Sequence, residues 1–271
     1  MDYYISVSFK TGEAQTAMMS ALLMDMGFEG IEENEKETIA SIPETLFEEE
    51  AIKAIFQQFD VPYTFSKVEQ QNWNAQWEQS FEPVQVDDFA VIRASFHAPV
   101  AGVKHDIIIT PKMSFGTGHH ATTFLMIQEM SALDFSGKTV IDFGTGTAVL
   151  AILAEKLGAI AILGIDNDEW SINNAKENIA ANDCHHITLQ KADEMAADKK
   201  ADIILANINL NVIIANILLI KNACLPKADI LLSGLLKEDE TQMTEILTKN
   251  GFYIQKIIHK NNWIAILTHL L

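Results

Sequence analysis

A chain of 271 residues that is 48% hydrophobic has material for one large and one small packed domain, which excludes a disordered polymer. Its 37 acidic and 19 basic side chains leave a net charge of −18 that opposes nonspecific binding to nucleic acid or an anionic membrane; the acidity either attracts a basic partner or simply keeps the protein soluble. No run of roughly eighteen uninterrupted apolar residues occurs, Met1-Asp2-Tyr3-Tyr4 lacks signal-peptide character, and Cys184 and Cys224 have no paired spacing, so a cytoplasmic protein with free thiols and no membrane association is expected.

Residues 3–9 alternate as a strand, residues 14–26 present an apolar helical face closed by Gly27, and 29–34 with 38–42 pattern as a hairpin. A second helix over 46–59 and a strand over 63–68 complete the order βαββαβ, which predicts a ferredoxin-like α+β domain over residues 1–66. Pattern alone leaves open whether this unit binds anything or is a structural appendage. Trp73, Trp77 and Phe81 recur every four residues, predicting a linker helix over 67–82 that docks by its aromatic face and ends at Pro83. Strand-like segments follow at 89–94 and 106–110.

From Gly137 onward, strands at 139–143, 161–166, 187–191, 203–206 and 230–233 alternate with helices at 149–157, 170–181, 210–223 and 238–250. Such repetition predicts a parallel sheet with helices on both faces. The tail differs, because 252–259 and 263–269 are two strands joined by Lys260-Asn261-Asn262, a terminal antiparallel hairpin. The expected second domain, 83–271, is therefore an α/β doubly wound, Rossmann-like seven-stranded sheet with its last strand reversed.

Chemistry concentrates at three strand ends. Val140-Ile141-Asp142 runs into a turn through Gly144 and Gly146, where glycine lets the backbone approach a ligand and the next helix offers unpaired N–H groups. Asp166 ends the following strand about 20 residues later, the place of a carboxylate that holds ribose hydroxyls. Asn207 stands at the end of the fourth strand of this series, 203–206. The position that would carry a third glycine is Val149 and an acid, Asp142, precedes the turn, which favours cationic S-adenosylmethionine over a dinucleotide. Adjacent His119 and His120 point apart and lack a third ligand, so no metal is expected.

The segment Pro111-Lys112-Met113-Ser114-Phe115-Gly116-Thr117-Gly118-His119-His120-Ala121-Thr122-Thr123, with the glycine turn, Gly164-Ile165-Asp166 and Ala206-Asn207-Ile208, resembles the PrmA family of ribosomal protein L11 methyltransferases. The similarity runs through the whole chain. It implies a class I S-adenosylmethionine-dependent methyltransferase fold, with Thr123, Gly144, Asp166 and Asn207 contacting S-adenosylmethionine and Phe115, Gly116, Thr117 and Gly118 forming a loop over it. It also implies that the N-terminal domain recognises the ribosomal protein and that lysine side chains and the N-terminal amine are the acceptors. Where the family reads Gly-Ser-Gly, this chain has Gly146-Thr147-Ala148, tolerable if Ala148 packs within the helix; after the asparagine it has Asn209-Leu210-Asn211.

Asn207 is the candidate catalytic residue, its side-chain oxygen accepting hydrogen bonds from an amine; a turn-forming or cofactor-binding role is the alternative. Rival readings are a nucleobase amino-group methyltransferase, whose Asn-Pro-Pro-aromatic motif is replaced here at Ile208 and Asn209, a dehydrogenase, and a cofactor-binding module without chemistry. A monomer is expected.

Overall fold

The β-branched runs of the sequence become strands, and the chain divides into two compact units, Met1–Gln76 and Trp77–Leu271. The structure, a computed structural model, describes residues 3–28, 30–33, 37–69, 82–110, 121–195 and 198–270. The aromatic linker with Trp73, Trp77 and Phe81 and the segment bearing Phe115, Gly116, Thr117, Gly118, His119 and His120 lie outside the described residues. Among the described residues no helix is long and apolar enough to cross a membrane.

The first unit comprises β1 (Tyr3–Phe9), α1 (Glu13–Asp25), β2 (Gly30–Glu33), β3 (Thr38–Pro43), α2 (Glu49–Gln58) and β4 (Tyr63–Glu69). Its antiparallel sheet has the order β2-β3-β1-β4. Period-two alternation turns Ile5, Val7 and Phe9 to one face, where they meet Met19, Leu23, Ile52 and Phe56. Leu46, expected in the second helix, belongs to a short 3-10 turn and is exposed. β4 continues past residue 66 to Glu69.

The second unit opens with β5 (Val84–Val86), β6 (Ala90–Ala94) and β7 (His105–Ile109), which form their own three-stranded sheet, and α3 (Ala121–Met130). The large sheet then builds from β8 (Thr139–Phe143), α4 (Val149–Lys156), β9 (Ala161–Asp166), α5 (Glu169–Ala181), β10 (Ile187–Lys191), β11 (Ala201–Asn207), α6 (Leu210–Ala223), β12 (Cys224–Leu236), α7 (Glu240–Lys249), β13 (Phe252–Lys260) and β14 (Trp263–Leu270). Its order is β10-β9-β8-β11-β12-β14-β13, parallel except for β14, which runs against both neighbours.

Burial on both faces explains the unbroken apolar reading of the central strands. Ile203 and Leu205 pack with Leu125 of α3 and Leu153 of α4, while Ile204 and Ala206 pack with Ile213 of α6 and Met243 of α7. Chain order reverses between β8 and β11, and such a switch point opens a crevice at the carboxyl ends of the strands.

One edge of β7 has a helix for a neighbour instead of a strand. Asn182 accepts from the Ile108 N–H at 3.0 Å and donates to its carbonyl at 2.6 Å, Asn178 accepts from the Thr110 N–H at 2.7 Å, and Asn174 donates to the Thr110 carbonyl at 3.3 Å. These asparagines recur every fourth residue on α5 and so share a face. Asn178 also donates to the Thr147 carbonyl at 2.9 Å, tying β7 to the glycine turn.

Candidate active site

β8 ends where Gly144 turns the chain at φ +78°, and the N–H groups of Gly144 and Thr145 both donate to the Ile165 carbonyl of β9, at 2.8 and 2.9 Å. A Cβ at position 144 would overlap Ile208 Cγ2, so close packing as well as φ requires glycine here. The turn is held from the far side by Asp166. Its Oδ2 accepts from the Gly146 N–H at 2.8 Å and its Oδ1 from the Asp168 N–H at 3.0 Å. Asp168 in turn caps α5, its Oδ2 accepting from the Ser171 N–H and hydroxyl at 3.0 Å each.

Ala148 is the residue before the helix and not within it, so its tolerance has another source than helix packing. It precedes α4 in the left-handed region, φ 62° and ψ 19°, which costs an alanine about 1–2 kcal/mol. Its fully buried methyl returns about 0.8 kcal/mol, and glycine would carry its own entropic cost of about 0.5–1 kcal/mol. These offset one another, which is how an alanine is tolerated. Ala148→Gly should therefore change the urea unfolding free energy by less than about 1 kcal/mol; a loss several times larger would mean that packing of the methyl dominates.

Asp142, 1% exposed, lies just before this turn. Its Oδ2 accepts from the Thr145 hydroxyl at 2.7 Å, whereas Oδ1 has no partner. Burial, with a smaller contribution from the charge of Asp166 and against the pull of the Thr145 hydroxyl, pushes its pKa from 3.8 up to about 7. The folded state thus holds a proton over an interval in which the unfolded state has lost it. The resulting destabilisation is absent below about pH 4, grows as pH rises and is complete above about pH 7. Asp142→Asn should exceed the wild type in unfolding free energy by on the order of a few kcal/mol at about pH 8, with the gap closing near pH 4. A gap independent of pH would show that Asp142 is ionised throughout.

Asn207 ends β11. Its Nδ2 donates to Thr123 Oγ1 of α3 at 3.4 Å, and its buried Oδ1 has no partner. Asn209 caps α6, accepting from the Val212 N–H at 3.1 Å. The cavity at these strand ends, about 650 Å³, brings together Thr123, Gly144, Gly146, Asp166 and Asn207, five residues expected from the sequence. Its volume falls within the range of about 300–1,000 Å³ usual for small-molecule sites.

Asp193, Gly234 and Trp263 also line the cavity and were not expected. Asp193 follows β10 as an acid just past a strand end, the same signal that marked Asp166. Trp263 opens β14, a strand brought beside β12 only by the fold, and no local pattern announces it. Other suspected features take structural roles. The N–H groups of His185 and His186 are held by Glu155 at 2.7 and 3.0 Å. Cys184 and Cys224 are free and buried, and burial pushes both thiols up to about 11, away from nucleophilic use. Among the described residues no group of three His, Cys, Asp or Glu side chains could hold a metal ion.

A family model described as ribosomal protein L11 methyltransferase (PrmA) matches residues 34–270. The chain belongs to this family. Relatives of the same description from Phocaeicola vulgatus and Chlorobaculum parvum are 38% and 39% identical to it, each aligned over 97% of this chain and over 98% and 96% of their own. The crystal structure of ribosomal protein L11 methylase from Lactobacillus delbrueckii subsp. bulgaricus is 28% identical and matches with a TM-score of 0.65, covering 69% of this chain and 98% of that one. The reversed β14 and the family membership together make the large unit a class I methyltransferase fold.

Proposed function

We propose that this protein transfers methyl groups from S-adenosylmethionine to amino groups of ribosomal protein L11, on lysine side chains and at the N-terminal α-amine. Family membership supports the reaction and the substrate. The observation that supports the amine is the Asn207 side chain, which lines the cavity and whose Oδ1 has no partner among the described residues. An unsatisfied buried acceptor costs about 1–3 kcal/mol, which a bound N–H donor removes.

The residues present fit the cofactor. Each oxygen of Asp166 accepts one backbone N–H and retains capacity for a ribose hydroxyl, and the glycine turn presents backbone rather than side chain to the cavity. Thr123, Gly144, Gly146, Asp166 and Asn207 are assigned to this site, with Phe115, Gly116, Thr117 and Gly118 as its covering loop. When bound, S-adenosylmethionine supplies a sulfonium methyl already activated toward a nucleophile. What remains for the protein is orientation and exclusion of water.

An acceptor lysine has an ordinary pKa of about 10.4 and an N-terminal amine about 8, so each must lose a proton to water before attack. At position 207 an amide oxygen, unlike a carboxylate, does not stabilise the ammonium form of the acceptor. Asn207 holds that amine by an N–H, which leaves its lone pair for the in-line displacement. The net charge of −18 would attract a basic partner.

Substrate recognition is assigned to the first unit, whose closing strand extends the expected boundary from residue 66 to Glu69, and methyl transfer to residues 83–271. An excess of isolated residues 1–69 should slow L11 methylation by the full chain; no inhibition at saturating concentration would remove recognition from this unit.

The function itself is tested by incubating the protein with methyl-labelled S-adenosylmethionine and purified L11. Label is expected on lysine and N-terminal amines by mass spectrometry. Label appearing in added RNA and not in L11 would transfer the assignment to a nucleobase substrate.

A further inference from the structure

Ile208, the residue after Asn207, is approached from two sides by glycines of positive φ, Gly144 and Gly234. Its N–H donates to the Ser233 carbonyl at 3.1 Å, one rung past the last ladder pair, Asn207 with Ser233. Ser233 is fully buried and anchored in turn by its hydroxyl, which donates to the Ile264 carbonyl at 2.8 Å. Gly234 follows at φ +83°, inside the stretch between Leu232 and Leu235 where the register of β12 on β14 shifts. A Cβ at Gly234 would fall 2.7 Å from the Ile208 carbonyl carbon and 2.8 Å from its nitrogen. On the other side, a Cβ at Gly144 would overlap Ile208 Cγ2.

Both glycines therefore lack a side chain at the points where Ile208 needs the space. One contact is with its main chain and the other with its β-branch, which is stiff at χ1 and transmits position without rotating away. Gly144, Ile208, Gly234 and Asn207 all line the same cavity.

We propose that Ile208 is a positioning residue, gripped through its main chain at Gly234 and its side chain at Gly144, that sets the separation between the cofactor turn and the Asn207 amide. This rests on the reading of the cavity as a methyl-transfer site. The β-branch acts as a spacer, and the reaction needs the spacing because the amine must meet the methyl group in line.

The test uses the full chain with purified L11 and labelled S-adenosylmethionine, measuring kcat, KM, cofactor affinity by calorimetry and the unfolding midpoint. Ile208→Val keeps the branch and should stay within about threefold of wild type in every parameter, the scatter of uncoupled changes. Ile208→Ala should lower kcat on the order of 10²-fold, the cost of misplacing a reacting group by roughly 1 Å, with cofactor affinity held within about threefold. Gly144→Ala should weaken cofactor binding, and Gly144→Ala/Ile208→Ala should regain the part of that loss due to overlap but not the part due to the φ of +78°, because the nearest remaining atom is then Ile208 Cβ at 3.6 Å. Wild-type kcat in Ile208→Ala, or equal loss in Ile208→Val and Ile208→Ala, overturns the proposal. So does a Gly144→Ala effect that is unchanged by Ile208→Ala. If the wild type transfers no methyl group at all, the functional reading falls, and the same double-mutant cycle in cofactor affinity or unfolding still decides whether the two residues are coupled.

Discussion

Asn207→Ala should lower the turnover of L11 methylation on the order of 10²-fold, the cost of removing one preorganised polar group from a transition state, while cofactor affinity changes by less than about threefold. The reason is the asymmetry of its hydrogen bonds. Nδ2 has a long contact to Thr123 Oγ1 at 3.4 Å, and Oδ1 has none. An acceptor left empty by the protein serves what enters the cavity, and the amine is the part of the reaction that brings N–H donors. Asn207→Asp separates this from a purely steric role. A carboxylate would stabilise the ammonium form of the substrate, so activity lost near neutrality should partly return at higher pH. Calorimetry of the cofactor beside steady-state kinetics checks both. Equal loss of affinity and turnover in Asn207→Ala would assign the side chain to the cofactor alone.

The second large effect is expected at Asp166, in the opposite parameter. Its carboxylate already binds two backbone N–H groups, of Gly146 and Asp168, so it holds the glycine turn and the entrance of α5 in one arrangement before any ligand arrives. Hydrogen bonds to a charged group contribute about 1.5–3 kcal/mol each, so losing the two that the carboxylate would offer a pair of ribose hydroxyls in Asp166→Ala should weaken cofactor binding on the order of 10²- to 10⁴-fold. Turnover at saturating cofactor should remain within severalfold, because the amine-binding strand tip is untouched. Removing the charge also relieves its repulsion of Asp142, whose pKa should fall from about 7. Titration calorimetry and a pH series of unfolding measure the two consequences. Unchanged cofactor affinity in Asp166→Ala would dissociate this carboxylate from the ligand.

Much of this arrangement is legible along the chain because it depends on local rules. A β-branched run ending in an acid and a glycine turn places a strand end, and three such ends in an alternating α/β pattern converge on one crevice. The helix Ala121–Met130 was not read, since Leu125, Met126, Ile127 and Met130 are all buried and leave no polar face to set a period. The small sheet of residues 84–109 was seen only as scattered strands, because pairing between distant segments has no local signature. The left-handed backbone of Ala148 has no signal in the sequence for a related reason: an alanine in that conformation looks like any other helix former. Asp166 was expected as a ligand for sugar, and the structure adds its hold on two backbone amides. Gly234 carries the least signal of all, for its purpose lies in Ile208, a residue of another strand.

The row of asparagines on α5 has an effect beyond fixing β7. Ile108 and Thr110 have their amide and carbonyl groups occupied by side chains, so that border cannot serve as a template for an extended peptide from another molecule. Fibril-like growth from this border is thereby blocked, at a strand that would otherwise offer a ready seam for aggregation.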